Sequence, residues 1–136
     1  MHKTRSKISI ISVLSASAIL FCFSSGSFGA GEPLIGDVSA SANYDSWGGK
    51  CPKLFVFTGQ ITANAKGSLN YHWERSDGAK GPSKVVHVKP GQTLKVHDSW
   101  KLGGPGTKMT ISETLVVGSG NQHLRAKSQE IPIECK

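Results

Sequence analysis

The strongest constraint on this chain is the alternation that runs through residues 51–78, CPKLFVFTGQITANAKGSLNYHWERSDG. Phe55, Phe57, Ile61 and Ala63 fall on one parity with Gly59 among them. Leu69, Tyr71 and Trp73 then alternate with Ser68, Asn70, His72 and Glu74. A period of two turns one face of an extended strand inward and the other to water. β-branched and aromatic residues suit such a surface. The polar link Asn64-Ala65-Lys66-Gly67 predicts that the two runs form a hairpin, with Gly67 available for the reversal. Ser76-Asp77-Gly78 ends the second run, because Asp bonds its own backbone and Gly enters the left-handed region readily. Trp73 is expected at the centre of the core.

The rest of the chain supplies strands to pack around this pair. Pro33–Asn43 alternates weakly through Val38, Ala40 and Ala42, as an edge strand would. The loop Asp45–Lys50 carries Trp47, expected over one end of the core. Val85–Val88 is a short strand, and Pro90-Gly91 turns the chain. Gln92–Trp100 alternates through Leu94, Val96 and Trp100, but Asp98 falls on the apolar parity and predicts a bulge or a strand end. Leu102–Gly106 (LGGPG) is a loop. Lys108–Val117 runs through Met109, Ile111, Leu115 and Val117, interrupted by Glu113. Leu124–Glu134 follows the turn Gly118–Asn121 and ends in Ile131, Ile133 and Cys135. About seven strands without helical periodicity predict an all-β, immunoglobulin-like antiparallel β-sandwich over residues 31–136.

Residues 1–30 read as an address. Lys3, Arg5 and Lys7 precede an apolar run to Phe23 and a small-residue stretch to Ala30, the layout of a secretory signal peptide. Cleavage is expected after Ala30, with Gly29 as the alternative because Phe28 is bulky for its position. Acylation at Cys22 is disfavoured by Phe21 before it. Removing the leader lowers the formal charge from +7 to +4 and leaves no membrane span. Two cysteines remain, Cys51 and Cys135, an even pair in an exported chain and hence an expected disulfide. If the strands alternate in direction, the second begins at the end of the domain where the seventh stops, so the two sulfurs can meet. The chain is therefore expected in the periplasm or outside the cell.

The pattern of Cys51-Pro52, Phe57-Thr58-Gly59, Ile61, Tyr71, Trp73, Arg75-Ser76-Asp77-Gly78, Trp100 and Cys135 resembles that of a class of exported bacterial immunoglobulin-like modules. In these a CP opens one strand, a Y.W.RSDG element follows and a final cysteine ends the domain. The resemblance covers residues 38–135 and implies a fold and a bacterial origin, but no particular activity.

Catalytic patterns are absent: the chain has no GxSxG and no HExxH, and no cysteine left to pair with a histidine. No enzyme and no cofactor are expected. His72, His87 and His97 occupy outward positions of three strands, and would bind a metal only if those strands brought them together. Lys80, Lys84, Lys89, Lys95, Lys101 and Lys108 form a basic series opposed within residues 79–112 by Asp98 alone. Such a series either guards exposed strand edges or makes a contact surface for an acidic partner. It lacks the interleaved aromatics of a single-strand nucleic-acid platform. The expected function is a secreted, non-catalytic binding module whose partner is a protein or an anionic surface polymer. The loops Ser76–Ser83 and Gly103–Thr107 would join the lysines in the contact. The alternative is an inhibitor or accessory subunit that docks on a secreted or host enzyme.

Overall fold

The computed structural model describes residues 33–136, and the expected leader lies outside them. Nine strands follow in order: β1 (Ile35–Ala42), β2 (Lys53–Ala63), β3 (Gly67–Arg75), β4 (Lys84–Val88), β5 (Thr93–Leu102), β6 (Lys108–Ile111), β7 (Glu113–Ser119), β8 (Gln122–Lys127) and β9 (Ile131–Glu134). They build an immunoglobulin-like antiparallel β-sandwich. One sheet has the order β1-β2-β5 and the facing sheet β4-β3-β7-β8, while β6 and β9 pair separately.

The expected hairpin of β2 and β3 is not formed. β1 and β5 occupy both sides of β2, and β3 lies in the opposite sheet. The link at residues 64–66 is therefore an arch between layers. Gly67 does not take a positive φ there. The alternation specifies which face is buried and not which strand lies alongside. Phe55, Phe57 and Ile61 of β2 meet Leu69 and Trp73 of β3 within one buried cluster. Gly59 permits that approach: a Cβ there would collide with Leu115 Cδ2 and stand 3.1 Å from Trp73 Cζ2.

The last two expected strands each divide, which turns seven into nine. Both divisions are transfers between ladders, since β7 and β8 belong to the sheet of β3 whereas β6 pairs β9. Backbone groups freed at the transfer are taken up locally, as burial demands. The Ser112 N–H donates to Ser76 Oγ at 3.1 Å and the Glu113 N–H to Ser128 Oγ at 3.2 Å. The Ser128 N–H in turn donates to the Glu113 carbonyl at 2.9 Å. Asp98 causes no bulge and no strand end. It sits in regular register opposite Phe57, and β5 continues to Leu102.

Cys51 and Cys135 are joined by a disulfide with their Cα atoms 5.5 Å apart. Gly103, at φ 94°, lies against the bridge, where a Cβ would stand 2.8 Å from Cys135 Sγ. Trp47 covers this end of the core: it bridges Ile133 of β9 and packs edge-on to Tyr44 at 5.3 Å.

The two flanks of the sandwich differ. On the β1 side, the Gln122 carboxamide clamps Ile35, accepting its N–H at 2.9 Å and donating to its carbonyl at 2.6 Å. Gln129 does the same to Ala42, at 2.9 Å in both directions. Side-chain amides thus pin both ends of the outer edge of β1. On the other flank, β4 bonds only to β3 and β5 only to β2.

Candidate functional site

Lys84, Lys89, Lys95 and Lys101 all lie on this open flank. Lys84 begins β4 and Lys89 follows it, entering the turn at Pro90-Gly91, while Lys95 and Lys101 are on β5. All four are exposed, and among the described residues none makes an ion pair. β4 and β5 run along the flank in opposite directions, so Lys101 marks the disulfide end, Lys84 lies opposite Tyr71 at the middle of β3, and Lys89 and Lys95 mark the far end. The other two expected contact lysines are placed differently. Lys80 reaches Glu74 at 3.7 Å across a local bridge. Lys108 stands on β6 in a groove at the disulfide end, opposite Glu134 of β9.

Beside the flank lies a charged group at the margin of the core. The Arg75 Nε is 3.4 Å from a Glu113 oxygen, and its Nη2 is 3.9 Å from Asp98 Oδ2. Nη2 also donates to the Ser99 carbonyl at 3.2 Å, and the guanidinium stands 5.1 Å from the Trp100 ring centroid. Glu113 is wholly buried, at 0% exposure. Burial, and next the Asp98 carboxyl beside it, push the Glu113 acid up to about 8, against the pull of Arg75. At neutral pH it therefore holds its proton. A raised acid next to a carboxylate is one signature of acid–base catalysis, but here no substrate can reach it. The open groove of about 360 Å³ is elsewhere, lined by Trp47, Met109, Pro132, Lys108 and Glu134 among others. The sequence contained a signal for the Arg75 group: Asp98 and Glu113 are both acids on inward parities of different strands, and two such misfits can answer each other.

The histidines are not brought together. His72 and His87 lie on the sheet of β3 and β4, and His97 lies on the other sheet. Each has its own partner: Glu74 for His72 at 3.1 Å, Ser68 for His87 at 2.7 Å and Thr58 for His97 at 3.1 Å. Among the described residues no three His, Cys, Asp or Glu side chains are grouped as a metal centre. Glu74 is held by Arg125 first and His72 second, and with Lys80 nearby its acid falls to about 2. The loops at residues 76–83 and 103–107 do share the disulfide end. The first is fastened to β3, since Arg75 N–H donates to Ala79 O and Gly81 N–H to Trp73 O, each at 2.8 Å.

No protein-family model matches the chain, and no curated protein does. Among solved structures it is similar to the CARDB domain of a Pyrococcus furiosus protein, crystallised in complex with di-metal ions. The two share 11% identity with a TM-score of 0.55, over 78% of this chain and all of that one. The solution NMR structure of the same domain matches at 13% identity and a TM-score of 0.54, over 74% of this chain and 96% of that one. At such identities the likeness is one of fold, and it agrees with the sandwich described above.

Proposed function

We propose that this chain is an exported, non-catalytic binding module that takes an acidic partner on the flank formed by β4 and β5. The observation that carries the reading is the set Lys84, Lys89, Lys95 and Lys101, exposed along one side of the sandwich and, among the described residues, paired with no acid. Cations held in one strip attract an anionic partner and lose that attraction as salt rises. The leader-like residues 1–30 and the disulfide support an exported setting.

The test is a pull-down from bacterial envelope fractions at low and high salt, with the wild-type chain and a variant carrying Lys84→Glu, Lys89→Glu, Lys95→Glu and Lys101→Glu. Partners should be captured only at low salt and only by the wild type. Capture that is indifferent to both changes would refute the lysine flank. It would favour the second reading, an inhibitor or accessory subunit that docks through the groove lined by Trp47, Met109 and Pro132.

A further inference from the structure

Resting on that reading, we propose that the acidic partner is an extended polypeptide, which adds to β5 as a further strand of the β1-β2-β5 sheet. Register shows which backbone groups are free. Val56 turns both its N–H and its carbonyl toward the β1 side, where they bond Asn43 at 3.0 Å. Val56 is paired with Ser99, so Ser99 makes no ladder bond to β2 and points its own groups away from it. The alternation carries that orientation to Thr93, Lys95, His97 and Lys101. Arg75 already occupies the Ser99 carbonyl. The vacant stretch is therefore Thr93–His97, the half of β5 that follows the Pro90-Gly91 turn. It contains no proline and no bulge.

Side chains select the class of strand. Lys95 and His97 project on the outer face, with Lys89 in the adjoining turn, whereas the half-buried Leu94 lies on the inner parity. A strand that alternates acidic and apolar residues meets cations on one side and Leu94 on the other. The same lysines repel a second copy of this chain, so one device both prevents self-pairing and admits an acidic strand. The other long edge, β1, is pinned at its two ends by Gln122 and Gln129 and carries Asp37 but no cation, so it offers an acidic strand no countercharge. Main-chain bonds then contribute affinity and alternate side chains specificity, as in strand addition generally.

The probe is a capped peptide of about seven residues alternating glutamate and valine, titrated calorimetrically into the leaderless chain at low salt. A twin N-methylated at alternate amides and a heparin oligosaccharide serve as comparisons. The peptide should bind and slow exchange of the Thr93, Lys95 and His97 amides. The twin should bind at least about tenfold more weakly, as should wild-type peptide against Thr93→Pro or His97→Pro, which remove only outward N–H groups. Equal binding of peptide and twin would overturn strand addition while leaving the lysine flank standing. Binding of heparin without the peptide would make the partner a polymer instead. Binding of neither would remove both readings. The comparison on wild-type protein holds even if a proline variant fails to fold.

Discussion

Replacing Glu113 by glutamine should make the domain's stability less sensitive to a rise in pH from about 5 to about 8. The buried Glu113 acid has its ordinary value of 4.5 in the unfolded chain and about 8 in the fold. The folded state thus keeps a proton that the unfolded state releases. That contribution is complete below 4.5 and is lost as pH rises from there to about 8, because the unfolded chain releases the proton while burial and Asp98 make the folded chain keep it. At about 1.4 kcal/mol per pKa unit, the interval gives a loss of about 3–5 kcal/mol between roughly pH 5 and pH 9. Glutamine keeps the shape and an N–H that can face Asp98, but cannot ionise. Urea unfolding of both proteins across that range isolates the effect, since every other group is common to them. The variant should match the wild type near pH 5 within about 2 kcal/mol, exceed it increasingly as pH rises to about 8, and keep a constant lead above that. Two stability curves that stay parallel, with a difference changing by less than about 1 kcal/mol, would refute the assignment of a buried proton. Glu74 does not blur the result: its acid is lowered to about 2, so its contribution disappears only as pH falls below the ordinary range.

Two further outcomes follow from the same structure. Replacing Cys51 and Cys135 by serine opens a loop with a sequence separation of 84. It should cost about 4–5 kcal/mol in urea unfolding, and added reductant should have no effect on the variant; a cost below about 1 kcal/mol would show that the bridge constrains little. Gln129→Ala removes both bonds to Ala42 and should cost about 1–3 kcal/mol. Amide exchange at Ala42 should quicken while that at Phe57 stays slow, and unchanged Ala42 exchange would mean that the clamp is redundant.

The sequence disclosed which residues face inward far better than which strands adjoin. Phe55, Phe57, Ile61, Leu69 and Trp73 are buried as their parity demands. Alternation has no term for the neighbour, however, so β2 and β3 read as a hairpin although they face each other across the core. The breaks at Ser112 and at residues 128–130 were hidden for the same reason: Ile111 and Leu115 keep one parity across a change of partner. The sulfurs of Cys51 and Cys135 could be matched because strand direction survives these errors. In the candidate site, counting lysines found the series but could not separate Lys80, already engaged by Glu74, or Lys108, on another strand pair. The flank formed by the other four emerges only from the strand order, which puts β4 and β5 at the edges of facing sheets.

Those glutamines also bear on the order in which the chain can complete itself. Gln122 and Gln129 each reach back 87 residues to their partners in the first strand. A chain entering a compartment amino end first can lay its opening strand beside the second at once. That strand's remaining edge stays available to any passing polypeptide until nearly the whole domain has arrived. A product truncated before Gln122 would carry this edge with neither end pinned, and would be marked for aggregation or for proteolysis by the very strand that the full-length molecule fastens at both ends.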